Sequence, residues 1–192
     1  MKFIILHGTM GSPEINWFPW LKEELEKLGH KVVVPQLPTP EGQTPDNWVQ
    51  AINQAAESLG GPDKNTVVVA HSMSPLAACH YLSMINKKIF AAFFVAGFAE
   101  RLSDVPEPYP TLNNPFIDKP LDWGKVKKNC SKIICFEGDN DPYVNLEIGK
   151  RFATLCGAKE FVVIPNGGHL TELSGYKKFP LLLKKINKEL AD

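Results

Sequence analysis

The chain has no excess of either charge. Its 21 lysines and arginines balance 21 aspartates and glutamates, and no long basic run interrupts it. A nucleic-acid binder clusters positive charge on one face, and a peripheral membrane protein sets such charge beside an apolar stripe, so neither class is expected here. Long apolar runs are missing too. The N-terminal run Phe3–Leu6 is shorter than the roughly 7–15 residues of a secretory leader's apolar region. The longest apolar stretch, from Ile89 to Ala99, is about half of a membrane span. Cysteine is scarce: Cys79, Cys130, Cys135 and Cys156 form no CxxC pair and have no metal-ligand spacing with the histidines. These absences predict a cytoplasmic protein with reduced thiols and no bound metal.

What is present is ordinary globular composition, 44% hydrophobic and 22% charged over 192 residues. That length suits one domain spanning residues 1–192, large enough to bury a core without staples. Apolar, β-branched-rich runs at Lys2–His7, Lys31–Pro35, Thr66–His71, Ile89–Val95, Lys132–Glu137 and Glu160–Ile164 read as strands. Most are apolar on both faces, as strands covered by helices on both sides must be. Amphipathic segments alternate with them: Trp17–Leu28, Asp46–Leu59, Pro75–Ile85, Leu146–Cys156 and Tyr176–Leu190. The alternation predicts an α/β fold, a parallel sheet of about six strands with helices on both faces. The segment between Val95 and Lys132 breaks the rhythm with Pro106, Pro108, Pro110, Pro115 and Pro120. It reads as an extended loop with a short helix near Asp122–Lys128, because proline removes an amide donor and clashes with the preceding turn.

Three segments carry chemistry. In Thr66-Val67-Val68-Val69-Ala70-His71-Ser72-Met73-Ser74-Pro75 a buried strand ends at a serine and a helix starts within three residues. This is the context of a nucleophile elbow, usually G-x-S-x-G, with Ala70 and Ser74 here at the positions that must be small. Ser72 is the expected nucleophile. Ser74 is the rival, but lies inside the helix start, and either serine could instead cap the helix. A serine hydroxyl needs a base. Of the five histidines, His169 follows the last strand in Pro165-Asn166-Gly167-Gly168-His169, where the glycines free the backbone to aim an imidazole. The orienting acid should follow an intervening strand, and Glu137-Gly138-Asp139-Asn140-Asp141-Pro142 supplies it. Asp141 is favoured by its reach, whereas Asp139 is suited to an Asx turn.

The chain order is therefore Ser72, Asp141, His169, each residue after a strand, which is the order of the α/β-hydrolases. The glycine-bearing loop His7-Gly8-Thr9-Met10-Gly11-Ser12 after strand one is the candidate oxyanion hole. Backbone donors are expected from Met73 and from Thr9 or Met10. The loop lacks the G-x-G-x-x-G and Gly-Lys-Ser/Thr patterns of phosphate binders. His7, Trp17 and Gly168 are candidate substrate contacts, although the Trp17 helix aromatics suit the core at least as well.

Taken together, these motifs resemble the small serine hydrolases related to retinoblastoma-binding protein 9. The resemblance rests on the glycine-bearing first loop, Trp17-Phe18-Pro19-Trp20-Leu21-Lys22-Glu23-Glu24-Leu25-Glu26-Lys27, His71-Ser72, Trp123 with Lys125-Val126-Lys127, Asp141-Pro142-Tyr143 and Gly168-His169. It implies an α/β-hydrolase fold of strand order 2-1-3-4-5-6 without a large lid, and a triad on Ser72, Asp141 and His169. In the family, glycine usually stands at the positions of Ala70 and Ser74. The expected activity is cleavage of a small-molecule acyl ester or amide through an acyl-enzyme, with no cofactor. A catalytically weak member of the fold that binds a protein partner is the alternative, since fold does not fix function. A flavodoxin-like nucleotide binder shares the strand–helix alternation but does not explain the ordered Ser, Asp and His.

Overall fold

The structure is a computed structural model that describes residues 1–103 and 105–191. Six strands, β1 (Lys2–Leu6), β2 (Lys31–Val33), β3 (Thr66–His71), β4 (Ile89–Val95), β5 (Cys130–Gly138) and β6 (Glu160–Ile164), form one sheet in the order β2-β1-β3-β4-β5-β6. Every pairing is parallel. The helices are α1 (Phe18–Lys27), α2 (Pro45–Ser58), α3 (Ser74–Met84), α4 (Tyr109–Asp118), α5 (Trp123–Asn129), α6 (Leu146–Cys156) and α7 (Pro180–Ala191). The strand order and the two-sided sheet agree with expectation.

Period-two alternation explains why the central strands read as unbroken apolar runs. Ile4, Leu6, Val68, Ala70, Ala92, Phe94, Ile133 and Cys135 face one layer, packed with Trp48 and Ile52 of α2, the apolar side chains of α3, Phe116 of α4, Val126 of α5 and Phe152 of α6. Their neighbours Phe3, Ile5, Val67, Val69, Ala91, Phe93, Ile134 and Phe136 face the other, where Phe18, Leu21 and Leu25 of α1 meet Leu182 and Ile186 of α7. No helix among the described residues is long and apolar enough to cross a membrane. The four cysteines are free and buried.

Three expectations need correction. The proline-rich segment contains a helix, α4, with Pro110 in its first turn and Pro115 inside it. Its buried Phe116 packs edge-on to Trp48 at a centroid distance of 4.9 Å, so tertiary packing outweighs one lost helical hydrogen bond. Helix α7 begins at Pro180, not near Tyr176, because a residue that precedes proline is steered out of the helical region. Strand β2 stops at Val33 before reaching Pro35.

Candidate active site

The C-terminal edge of the sheet gathers the residues singled out above. Strand β3 is buried along its whole length and delivers the chain to Ser72, whose φ is +64°. A side chain in this left-handed region is strained, and here it marks the sharp strand-to-helix turn. The turn is pinned on both sides. Ser72 N donates to Val95 O at 2.9 Å. The buried Ser74 hydroxyl accepts from His71 N at 2.9 Å and lies 3.0 and 2.9 Å from the carbonyl oxygens of Leu6 and His71, to which it can donate. Ser74 therefore ties the elbow to β1 and is not placed as a nucleophile. The loop after β1 presses close, and a Cβ on Gly8 would lie 2.7 Å from Ser72 Cβ. Only glycine fits that approach.

Three side chains meet above this edge. His169 Nε2 lies 3.1 Å from Ser72 Oγ, and its Nδ1 lies 2.6 Å from Asp141 Oδ2. A carboxylate only accepts, so the imidazole proton sits on Nδ1 and leaves Nε2 to accept from the serine hydroxyl. Asp141 Oδ1 accepts from the amides of Tyr143 (2.8 Å) and Val144 (3.1 Å). Burial is the largest influence on this carboxyl and opposes its ionisation. The hydrogen bond and charge of His169, with the two amides, outweigh it and hold the carboxyl below the usual aspartate range. Asp139 accepts from Asn166 N at 2.8 Å and so holds the loop that carries His169, whereas the Asx turn expected of Asp139 is made by Asp141, whose Oδ1 accepts from the amide two residues on.

The His169 loop is held from below. His71 Nε2 donates to His169 O at 2.9 Å, and Trp17 Nε1 donates to Leu170 O at 2.9 Å. Burial, followed by the charge of His169, pushes His71 down to about 3, so it stays neutral. Trp17 is thus a core residue that fixes the loop, not a wall of the cleft, because its ring lies buried against Phe18 and Phe179. His7 is buried as well. Its Nδ1 donates to Gly8 O and its Nε2 accepts from Leu37 N, each at 2.9 Å, so both ring nitrogens serve backbone. Gly168 lies outside the cleft lining, and its amide donates to Asn140 Oδ1 at 2.7 Å. The structure therefore gives His7, Trp17 and Gly168 supporting positions and not the substrate contacts expected of them.

The candidate oxyanion donors separate. Met10 N donates to Thr39 Oγ1 at 2.9 Å, so that amide is engaged. The amides of Thr9 and Met73 meet no acceptor among the described residues. Thr9 is fixed by its side chain, which donates to Asn113 Oδ1 at 2.5 Å and accepts from Gln43 Nε2 at 2.9 Å. Gln43 Oε1 in turn accepts from Thr39 Oγ1. Gln43, Thr39 and Asn113 escaped the sequence reading because none lies in a motif; the fold brings three separate segments together.

A cleft of about 310 Å³ opens above Ser72 and His169. Met10, Ile15, Phe98, Leu102, Tyr109, Tyr143 and Leu173 supply its apolar lining. Among its described lining residues Glu172 is the one carboxylate, and no lysine or arginine is present. No group of three or more His, Cys, Asp or Glu side chains among the described residues is placed to hold a metal ion. The arrangement is chemically a polarised serine hydroxyl beneath an apolar cleft.

The model of a family described as serine hydrolase matches residues 3–188. The chain belongs to that serine hydrolase family. Family resemblance extends along most of the chain in individual proteins. It is 26% identical to the putative hydrolase YdeN of Bacillus subtilis (strain 168) over 182 residues, covering 93% of this chain and 90% of that protein. It is 23% identical to serine hydrolase RBBP9 of Rattus norvegicus over 169 residues, covering 86% of each. The crystal structure of the B. subtilis ydeN gene product superposes with a TM-score of 0.89 at 22% identity, covering 100% of this chain and 99% of that one. Polyneuridine aldehyde esterase superposes with a TM-score of 0.72 at 16% identity, covering 100% and 99%. The fold is that of the α/β-hydrolases, as the family resemblance implied, and the family makes the protein a hydrolase.

Proposed function

We propose that this hydrolase cleaves small acyl esters or amides through a covalent acyl-enzyme at Ser72. The observation that carries the reading is the unbroken relay from Ser72 Oγ through His169 to the buried Asp141 carboxylate, with contacts of 3.1 and 2.6 Å. In this reading Ser72 Oγ attacks the substrate carbonyl while His169 Nε2 takes the hydroxyl proton. Asp141 holds the proton on Nδ1 and stabilises the imidazolium without itself becoming protonated. The carbonyl oxygen becomes an oxyanion, received by the free amides of Thr9 and Met73. His169 then gives its proton to the leaving group. A water molecule, deprotonated by the same nitrogen, releases the acid and restores Ser72. The cleft walls favour an apolar acyl or alcohol portion, and the lack of a lining cation disfavours anionic substrates.

A fluorophosphonate probe followed by peptide mapping tests the reading, together with hydrolysis of a panel of neutral p-nitrophenyl esters. Labelling at Ser72, abolished in Ser72→Ala and His169→Gln, is the expected result. A folded wild-type protein that neither labels nor turns over any ester would overturn it in favour of a binding module.

A further inference from the structure

Glu137 is the next-to-last residue of β5 and has no part in the steps above. It is only 1% exposed. Helix α6 makes room for its carboxyl by presenting Gly149, where a Cβ would lie 2.6 Å from Glu137 Oε2. Among the described residues its Oε1 is one of two buried side-chain atoms that meet no conventional hydrogen-bond partner. Among the described residues no cation is placed to neutralise it. The groups that act on it are the Asp141 carboxyl, within hydrogen-bond reach, and the amide of Gly138. Among the described residues the buried Cys135 thiol on the same strand also senses it, and His169 lies beyond Asp141.

Two carboxylates cannot share a hydrogen bond in a dry interior unless one carries a proton. The partners decide which. Asp141 already receives two amides and the imidazole, all of which favour its charged form, whereas Glu137 has no comparable donors. We propose that Glu137 is a positioning residue, a buried neutral carboxylic acid that donates its O–H to the Asp141 carboxylate and so fixes the group that orients His169. This rests on the roles given above to Asp141 and His169. Burial first, and then the charge of Asp141, pushes Glu137 up to about 10, in keeping with a proton retained at neutral pH.

The added donor makes Asp141 less basic, so the Nδ1 proton stays on the imidazole when Nε2 takes the serine proton. An ionised Glu137 would instead set a second negative charge against Asp141 and compete for that proton.

The test compares wild type, Glu137→Leu and Glu137→Gln on p-nitrophenyl acetate across the pH range, with infrared spectra of carboxyl-labelled protein. Glu137→Leu should lower kcat by about 10- to 100-fold, the worth of one hydrogen bond to a charged group, with little change in KM. Glu137→Gln keeps an N–H donor and should recover most of that loss. Wild-type activity should fall as pH approaches about 10, where Glu137 ionises, and Glu137→Gln should lack that fall. The infrared band of a protonated carboxyl should be present in wild type at neutral pH and absent from Glu137→Gln. Equal loss in both variants, an alkaline limb unchanged by Glu137→Gln, or a missing band would each overturn the proposal. Should Glu137→Leu fail to fold, the Gln profile and the band decide alone. The band reports on Glu137 even if Ser72 proves inert, which separates failure here from failure of the hydrolase reading.

Discussion

Replacing Ser72 by glycine and, separately, by alanine isolates the strain stored in the elbow. Both variants lose the hydroxyl, and they differ only in the Cβ. At φ +64° that Cβ crowds the following carbonyl, at a cost of roughly 1–2 kcal/mol. Glycine removes the strain but loses about 0.4–1 kcal/mol more through the greater freedom of its unfolded chain. The native-state term is the larger, so Ser72→Gly should exceed Ser72→Ala in stability by about 0.5–1 kcal/mol. With a urea slope of ~2 kcal/mol/M the midpoint rises by about 0.2–0.5 M. Fluorescence reports the transition, because Trp17 and Trp48 are fully buried. Neither variant should react with a fluorophosphonate, so the more stable protein would be an inactive one. A glycine variant equal to or less stable than the alanine variant would refute the claim that the elbow is strained.

Asp141→Asn should lower kcat by on the order of 10⁴-fold through the wrong imidazole tautomer, while Asp139→Asn should have a small effect; pH-stat assay of both variants decides. The Asp141 carboxyl is held below its ordinary value, so its stabilisation is present above pH 3.8 and is lost as pH falls through the lower folded value. Acid unfolding curves should therefore converge for wild type and Asp141→Asn only at low pH. Ser74→Ala should still label at Ser72 but lose about 1–3 kcal/mol by stranding the buried His71 amide, a fall of roughly 2–12 °C in Tm by calorimetry. Gly8→Ala places a Cβ 2.7 Å from Ser72 Cβ, and should reduce kcat/KM by on the order of 10²-fold with a folded circular-dichroism spectrum.

How much of the fold is legible depends on where the deciding forces lie. The strands are local: a run such as Thr66–His71, buried on both faces, has only one plausible home in a parallel sheet. Helix α4 is not local. Its sequence carries two prolines and reads as broken, and what favours it is the contact of Phe116 with Trp48, distant in the chain. The start of α7 differs from the expectation for a simpler reason. The apolar spacing continues back through Tyr176, but periodicity does not register the backbone restriction that Pro180 imposes on Phe179.

In the site, the sequence indicates which residues reach the C-terminal edge of the sheet but not which way they turn there. Ser72, Asp141 and His169 follow three strands in order, and the structure brings the three together. His7 and Trp17 reach the same edge, yet turn inward and bind backbone in the loops that carry the oxyanion candidates and His169, while the Gly168 amide donates to the Asn140 side chain. Ser74 shows the same ambiguity from the other side. As a departure from G-x-S-x-G it suggests a loosened elbow, because a side chain stands where the turn wants none. In the structure its hydroxyl meets the His71 amide and the carbonyls of Leu6 and His71, joining the elbow to the neighbouring strand. Glycine offers no such bonds. The substitution exchanges space for hydrogen bonding, and Ser72 keeps its left-handed backbone. Tightness at this turn therefore comes from satisfied polar groups as well as from small size, which no motif of residue sizes can express.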